Sequence, residues 1–198
     1  MDTLFDTLEA RLASRPPRAV NLPGLVLRES AVLVPLLLRE ETPHILFTKR
    51  PSTLRHHAGQ YSFPGGLRDP EDVTPLHTAL RETREELGID VSGVRVLGAL
   101  DEVPTLTEFR IQPFVGVIPA GVEYRPNPDE VEFILEVPLA DLMDPSLRRT
   151  ERRSARGMEY EVDFYTYGSH VIWGATGRIL RNLLRLSSER TGAPSERG

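Results

Sequence analysis

Hydrophobic positions recur with two different periods along the chain, and the period predicts the secondary structure of each segment. Alternating or continuous apolar runs predict strands, at residues 31–38, 44–48, 94–100, 111–118 and 158–165. Spacing of about 3.6 residues predicts helices, at residues 1–15, 75–87, 138–143 and 175–186. Residues 131–137 fit either a strand or a helix. Strands mixed with helices, without an internal repeat, predict a single α/β domain over residues 1–198.

Polar and turn-forming residues predict the connections between these elements. They comprise a linker at residues 15–24, a hairpin turn at 41–43, a long basic loop at 50–59 and a disordered tail at 187–198. Residues 1–24 are thus expected to be a helix and a linker. Long loops are more often functional than incidental, so the basic loop is a candidate for substrate contact.

The second predicted helix carries negative charge where a helix tolerates it least. Its expected limits are an N-cap at Thr74 and a terminating Gly88. Glu82, Glu85 and Glu86 then crowd the last turn, where the macrodipole disfavours carboxylates. A cation held among them would remove this repulsion, which predicts a metal site. A solvated charged face is the alternative that the helix alone leaves open.

The helical wheel separates the three carboxylates. At about 100° per residue, Glu82 and Glu86 lie roughly 40° apart beside the apolar stripe, and Glu85 points further out. The stripe comprises Leu76, Ala79, Leu80, Thr83 and Leu87. A half-sheltered pair of carboxylates suits a hard cation, and Mg²⁺ or Mn²⁺ is predicted because both prefer oxygen ligands.

A glycine-containing loop, Ser-Phe-Pro-Gly-Gly at residues 62–66, precedes this helix. Its glycines allow backbone groups to approach a metal or a phosphate closely. Together with residues 81–89, the loop resembles the Nudix box, whose usual pattern is Gx5Ex7REUxEExGU with U an apolar residue. The matching residues are Gly66, Arg81, Glu82, Glu85, Glu86, Gly88 and Ile89.

The chain departs from the usual Nudix box at three points. Gly66 and Arg81 are one residue further apart than usual. Asp72 and Val73 stand where the early glutamate would fall, which leaves the role of that acidic position open. Thr83 occupies a position that is normally apolar. The metal-binding glutamates are unaffected by these departures.

The segment before the box carries a second resemblance. Residues 45–66 are similar to the signature of the coenzyme A diphosphatases within the Nudix superfamily. The residues that carry it are Thr48, Arg50, Arg55, His57, Gly59, Phe63, Pro64, Gly65 and Gly66. A longer box without the early glutamate is also typical of that subfamily, and residues 172–176 add a weaker likeness.

These resemblances imply a Nudix-type α/β/α sandwich, with a mixed β-sheet and the box helix beside a Mg²⁺ or Mn²⁺ site. They assign the metal to Glu82, Glu85, Glu86 and Gly66. They assign catalysis to the same three glutamates, Arg81 and Glu130. They assign substrate contact to Arg50, Arg55, His57 and Gly65. A surface carboxylate is the alternative for Glu130, and a hydrogen-bonded loop role is the alternative for His57.

The implied reaction is hydrolysis of the diphosphate bond of coenzyme A or its derivatives to adenosine 3',5'-bisphosphate and (acyl-)4'-phosphopantetheine. Because coenzyme A differs from ADP-ribose and NADH in its 3'-phosphate, Arg50 and Arg55 are predicted to bind that phosphate. The alternatives are a Nudix hydrolase of ADP-ribose or NADH and a non-catalytic Nudix-fold binding module. Such modules commonly lose box glutamates, whereas this chain keeps three.

Composition narrows the class of partner. A formal net charge of -5 at pH 7 argues against a general nucleic-acid binder. The absence of cysteine excludes disulfides and thiolate chemistry. No apolar run is long enough to span a membrane, and the start lacks a signal-peptide pattern. We therefore expect a cytoplasmic enzyme, monomeric or homodimeric, that acts on a small coenzyme A-like nucleotide.

Two other features are weighed against ordinary structural roles. The arginines within residues 148–156 could clamp a phosphate. Lys49 is the only lysine, so arginine is abundant throughout, and a solvated loop is the favoured interpretation of this cluster. Trp173 is expected to pack in the core or an interface rather than to stack on adenine.

Overall fold

Two β-sheets and four α-helices make up the part of the chain that the computed structural model describes, residues 3–22, 24–54, 57–106, 108–155 and 157–188. The strands of the larger sheet are β1 (Arg28–Arg39), β2 (Thr42–Lys49), β3 (Tyr61–Ser62), β4 (Gly65–Leu67), β5 (Arg95–Ala99), β6 (Val103–Pro104), β7 (Phe109–Val117) and β8 (Phe133–Pro138). The smaller sheet contains β9 (Arg148–Ala155), β10 (Met158–Tyr167) and β11 (His170–Trp173). The helices are α1 (Thr3–Ala13), α2 (Pro75–Leu87), α3 (Leu139–Leu142) and α4 (Gly174–Ser188).

The larger sheet is mixed, as expected. Its strand order is β3-β2-β1-β7-β5, with β4 beside β1, β6 beside β7 and β8 beside β2. β1 and β7 are parallel, with Arg28 opposite Phe109 and Leu36 opposite Val117, and the other recorded pairings are antiparallel. β1 is therefore the central strand around which the sheet is built.

Alternation along β1 gives each face of the sheet its own core. Val32, Val34 and Leu36 belong to the main cluster, which also contains the apolar residues of α1 and α4. Leu33 points the other way and packs with Ala79 of α2. Because both faces are covered by helices, the strand is apolar almost throughout. The expected α/β/α sandwich is confirmed.

The predicted hairpin between β1 and β2 is present, but its turn lies earlier than expected. Glu40 and Glu41 form the turn with positive φ angles of 48° and 65°, which match the twist of a two-residue hairpin. Pro43, which we expected in the turn, lies in β2. Glutamate rarely adopts positive φ, so the sequence carries no signal for this turn. Of the ambiguous residues 131–137, those from Phe133 onward form a strand, β8, which pairs with β2.

The arginine-rich stretch is a strand rather than the solvated loop that we expected. Arg148–Ala155 form β9 and pair along β10. Arg148 Nη2 donates to Asp163 Oδ1 at 2.8 Å, and the Asp163 side chain is only 1% exposed. Arginine stems cover apolar neighbours while their charged ends reach water, so the strand does not show the apolar alternation that would reveal it. Arg156 lies outside the described residues.

Trp173 packs within the smaller sheet. Its ring stacks on Phe164 with centroids 5.8 Å apart and planes 8° from parallel. The guanidinium of Arg153 lies over both rings, 5.2 Å from the Phe164 centroid and 5.8 Å from the Trp173 centroid. This arrangement agrees with the packing role expected for the tryptophan.

The linker after α1 is fixed to the sheet, and the last helix is longer than predicted. Between α1 and β1, the backbone N–H of Arg18 donates to Asp101 Oδ1 at 2.9 Å, and Arg15 pairs with the same carboxylate. α4 continues to Ser188, so the first two residues of the expected disordered tail are helical, and residues 189–198 lie outside the description. Among the described helices, none is long and apolar enough to cross a membrane.

The larger sheet separates in the middle, and the glycine loop fills the gap. β1 and β2 pair directly only near their hairpin. Further along, β4 pairs with β1, with Val32 opposite Gly65, and β3 pairs with β2, with Thr48 opposite Ser62. The loop that carries Gly65 and Gly66 therefore runs through the centre of the sheet and beneath α2.

Candidate active site

The box helix α2 begins and ends where the sequence predicts. Thr74 Oγ1 accepts a hydrogen bond from His77 N at 3.2 Å, and Pro75 occupies the first turn. Gly88 ends the helix at a φ of 65° and donates its N–H to Arg84 O at 2.9 Å. These caps fix the rotation of the helix and thereby the direction of its glutamates.

The buried face of α2 is turned further toward the glutamates than the wheel predicts. It comprises Thr78, Ala79, Thr83, Glu86 and Leu87, while Leu76 and Leu80 are only half-buried. Thr83 is tolerated at a normally apolar position because its hydroxyl donates to Ala79 O at 2.6 Å. Glu86 is therefore in the core rather than at its edge.

Glu86 is a buried carboxylate with few compensating contacts. It is 5% exposed, and it accepts hydrogen bonds from Gly65 N at 3.3 Å and from Thr48 Oγ1 at 3.4 Å. Burial raises its pKa to about 8, and the charges of Glu82 and Glu130 contribute in the same direction. A cation beside this carboxylate would compensate for the lost hydration.

Glu82 lies against the glycine loop. A Cβ placed on Gly66 would overlap the carboxylate of Glu82, so only glycine lets the loop backbone approach this closely. The Glu82 side chain is 18% exposed, and burial raises its pKa although Arg81 acts against the shift. Glu82 and Glu86 therefore both border the glycine loop, as the box pattern predicts.

Asp72, whose role the box pattern left open, is paired with Arg81. Its carboxylate is 1% exposed and accepts two hydrogen bonds from Arg81, at 3.1 Å from Nε and 2.9 Å from Nη2. Asp69 N donates to the same carboxylate at 2.9 Å. The hydrogen bonds from Arg81 hold the pKa of Asp72 well below its ordinary value. The usual box pattern does not predict this pair. Here the loop between Gly66 and Arg81 is one residue longer than usual, and the acid is an aspartate rather than a glutamate.

Arg81 links the loop to two of the box glutamates. Its Nη1 donates to Glu82 Oε1 at 2.9 Å and to Glu85 Oε2 at 3.0 Å, and its Nη2 donates to Leu67 O at 3.1 Å. The Glu85 side chain is 46% exposed and points outward, as the helical wheel predicts. Arg81 thus positions carboxylates around the glycine loop.

The donors around the glycine loop fit a hard divalent cation. They are carboxylate oxygens of Glu82 and Glu86 beside the backbone of Gly66, and burial raises the pKa of each carboxylate. Within the described ranges, no three acidic or histidine side chains already converge as a metal cluster.

Arg50 is a cation close to this pair. Its charge lowers the pKa of Glu86, in opposition to the effect of burial. Its backbone is fixed by hydrogen bonds from Arg50 N to Gln60 O at 3.0 Å and from Gly59 N to Arg50 O at 3.1 Å. Its Nε is buried and finds no acceptor among the described residues. A buried guanidinium donor without an acceptor is suited to an anionic group of a substrate.

The rest of the basic loop gives a less direct picture. His57 adopts a positive φ of 56°, and its Nδ1 lies 2.8 Å from Gln60 Oε1, which agrees with the loop-stabilising alternative. Gly65 contributes its N–H to Glu86, and a Cβ there would overlap Val32. Arg55 lies outside the described residues, so its expected substrate contact stays a prediction.

Glu130 lies in an exposed segment that is tied to the end of α2. Asn127 N donates to Glu86 O at 3.0 Å, and Glu130 N donates to Asn127 O at 3.1 Å. The charge of Glu130 raises the pKa of both Glu82 and Glu86, so its carboxylate lies within electrostatic reach of the pair. The fold therefore brings Glu130 near the box helix but leaves it exposed, so its catalytic role stays a prediction.

Comparison with known proteins agrees with this geometry. A family model described as the NUDIX domain matches residues 27–158. The Nudix hydrolase NudL of Photorhabdus laumondii, whose activity is uncharacterized, is 42% identical over 156 residues, which cover 79% of this chain and 83% of the relative. NudL of Cronobacter sakazakii is 40% identical over 156 residues, which cover 79% of this chain and 81% of the relative.

Solved structures share the fold. A MutT/nudix family protein from Enterococcus faecalis superposes with a TM-score of 0.53 at 15% identity, over 84% of this chain and 65% of that chain. The Nudix hydrolase RenU from M. smegmatis gives a TM-score of 0.50 at 19% identity, over 62% of this chain and 84% of that chain. At these identities the likeness concerns the fold alone.

Proposed function

The chain belongs to the Nudix hydrolase family, which acts on nucleoside diphosphate derivatives, and from this premise we propose that its substrate is coenzyme A or a derivative. The proposed products are adenosine 3',5'-bisphosphate and (acyl-)4'-phosphopantetheine. We further propose that residues 1–198 act as one domain, since α1 and α4 share the main core with the larger sheet.

The observation that carries the substrate proposal is the position of Arg50. It opens the loop that resembles the coenzyme A diphosphatase signature, and its charge acts on Glu86. Its buried Nε has no acceptor within the described part of the chain. If the Arg50 side chain turns outward, a substrate phosphate oxygen would satisfy that donor, and the loop would then contact the substrate beside the metal-binding glutamates.

We propose that Glu82 and Glu86, with the Gly66 backbone, hold Mg²⁺ or Mn²⁺. When bound, such a cation neutralises diphosphate charge and lowers the pKa of a bound water. Arg81, held by Asp72, fixes Glu82 and the loop in place. Glu85 and Glu130 are the carboxylates at the rim of the site that can turn inward to bind the cation or accept a proton.

The bond changes are those of a simple hydrolysis. A water oxygen forms a new bond to one phosphorus of the diphosphate, and the bond from that phosphorus to the bridging oxygen breaks. One proton of the water passes to a carboxylate of the site, and the bridging oxygen leaves as part of a phosphomonoester. Arg50 would stabilise the negative charge on the phosphate oxygens throughout.

The proposal is tested by presenting the purified protein, with magnesium or manganese, with coenzyme A, acetyl-coenzyme A, ADP-ribose and NADH. We expect the highest kcat/KM for the two coenzyme A species, with 4'-phosphopantetheine or its acetyl form identified by mass spectrometry. A higher kcat/KM for ADP-ribose or NADH would contradict the coenzyme A assignment. Tight binding of these compounds without turnover at saturating metal would favour the binding-module alternative.

A further inference from the structure

A groove of about 470 Å³ opens beside the glycine loop. Its lining residues are Arg28, Glu29, Leu67, Arg68, Asp69 and Pro70. It begins at Leu67, the residue after Gly66, so the groove adjoins the proposed metal site along the chain. Volumes of roughly 300–1,000 Å³ are typical of small-molecule sites. Leu67, Arg68, Asp69 and Pro70 are variable positions of the box loop, and Arg28 and Glu29 lie outside both motifs.

Arg28 differs from the other arginines around this groove. Its guanidinium lies over the Phe109 ring, 5.1 Å from the centroid, and the residue is exposed. Arg68 and Arg110 both pair with Glu29, at 2.7 Å and 2.5 Å. No carboxylate within the described ranges lies at salt-bridge distance from Arg28. Its planar group is therefore oriented by an aromatic ring while its hydrogen-bond donors stay available.

The carboxylates that line the groove, Glu29 and Asp69, do not form an ion pair with Arg28. Glu29 is bound by two arginines and does not compete for a third. Asp69 also lines the groove and is exposed, and no described arginine forms an ion pair with its carboxylate. A bound anion would therefore be attracted by Arg28 and repelled by Asp69, which provides two substitutions with opposite expected effects.

The register of the sheet sets the distance from Arg28 to the site. Gly66 pairs with Ala31, and Arg28 lies three residues earlier in β1, about 10 Å along the strand and, by strand alternation, on the opposite face from Ala31. Arg50 directly follows β2, whose Thr48 donates to Glu86, and is thus placed for the scissile diphosphate itself. A second phosphate of the substrate, separated from the diphosphate by a ribose, needs a more distant cation.

Resting on the proposed function, we propose that this groove is the nucleotide subsite and that Arg28 binds the 3'-phosphate of coenzyme A. The guanidinium can donate two parallel hydrogen bonds to a phosphomonoester, and Phe109 holds it in one plane. Leu67 and Pro70 supply the apolar wall for the sugar and base. Arg28 is then the residue that separates coenzyme A from substrates without a 3'-phosphate.

The test compares kcat/KM for coenzyme A and 3'-dephospho-coenzyme A in the parent protein and in Arg28→Ala. We expect the parent to prefer coenzyme A by roughly 10- to 100-fold, as for one charge-assisted contact. Arg28→Ala should lose this preference because its kcat/KM for coenzyme A falls while that for 3'-dephospho-coenzyme A stays the same. Arg28→Lys should keep part of the preference, and Asp69→Asn should increase it. Arg185→Ala, which removes an exposed arginine from the last turn of α4, is the matched control.

A binding measurement makes the test independent of turnover. Calorimetric titration with adenosine 3',5'-bisphosphate and with AMP should show tighter binding of the bisphosphate in the parent and similar binding of both in Arg28→Ala. If the parent binds the bisphosphate more tightly than AMP but does not hydrolyse coenzyme A, the proposed reaction is wrong and the subsite proposal stands. Equal affinity for the two nucleotides in the parent would overturn the subsite even if coenzyme A is cleaved. So would a preference that survives Arg28→Ala and disappears in Arg55→Ala.

Discussion

At the scale of single residues, Glu86 shows how a side chain can oppose the stability of the fold and still belong to its site. It is 5% exposed, and its two hydrogen bonds, from Gly65 and Thr48, are long. An acid whose pKa is raised in the folded state lowers stability at neutral pH, because the unfolded chain ionises more readily. Perturbed carboxylates of this kind are characteristic of functional sites.

We predict that Glu82→Gln or Glu86→Gln lowers kcat by about two to three orders of magnitude, comparable to the loss of one group that stabilises charge in a transition state. Glutamine preserves the shape and removes the charge, so the metal-free Glu86→Gln protein should melt at the same temperature as the parent or above it. Steady-state kinetics and thermal unfolding provide the two measurements. Glu123→Gln, at a side chain 86% exposed, is the control. A near-normal kcat at saturating metal would refute the assignment.

At the scale of elements, the loop between β4 and α2 is held by one buried ion pair. Asp72 and Arg81 form a two-bond contact, and Arg81 continues to Glu82 and Leu67 O. Relative to the usual box, this loop has one more residue and its acid has one methylene fewer, and the two differences offset each other in reach. The pair therefore fixes both the glycine loop and the side chains of the box glutamates in place.

Asp72→Asn should cost about 1.5–3 kcal/mol of unfolding free energy at pH 7, since it weakens the charged hydrogen bonds to Arg81 while Arg81 keeps its contacts with Glu82 and Glu85. The pKa of Asp72 is lower in the folded than in the unfolded chain, so its contribution is complete above about pH 4 and declines as the pH falls further. Urea unfolding at pH 7 and at pH 3 should show a smaller difference between variant and parent at pH 3. Glu71→Gln, one residue earlier and exposed, should leave stability unchanged at both pH values. A difference that does not depend on pH would contradict the charged pairing.

The elements also show which parts of the structure could be predicted from the sequence. Long apolar runs and the caps of α2 were sufficient, because burial and backbone capping leave local signals. β9 was missed because arginine stems cover its apolar partners, and the turn at Glu40 was misplaced because glutamate gives no sign of a positive φ. The box identified Glu82 and Glu86, but the contact of Asp72 and the position of Arg28 arise from strand register and loop length.

At the scale of the whole molecule, the site lies where four parts of the chain meet. β1 supports α2 through Leu33 and Ala79, the glycine loop fills the gap between β1 and β2, and the segment with Glu130 closes over the end of the helix. The carboxylates of α2 are thus held together by the tertiary structure, against their mutual repulsion. An ion that binds them should stabilise the folded molecule as a whole.

We predict that magnesium or manganese raises the melting temperature. When the free ion is at 100 times its dissociation constant, binding should add about 2.7 kcal/mol to the free energy of unfolding. Glu82→Gln should reduce this rise, because one ligand charge is lost. Differential scanning calorimetry at matched ionic strength, with sodium chloride as the control, measures the effect. A melting temperature that does not respond to either ion in the parent would favour the solvated-face interpretation of the acidic run.

The parallel pairing of β1 with β7 has a consequence for how the chain folds. It joins Arg28 to Phe109, 81 positions apart (109 − 28), and the segment from Thr48 to Glu86 lies inside the loop that it closes. Closing so long a loop is slow, since its entropy is lost before distant contacts can compensate. The Thr48 and Gly65 contacts with Glu86 also join positions 38 and 21 residues apart. We therefore expect the ion site to form late, so that a bound cation slows unfolding rather than speeding the search for the native sheet.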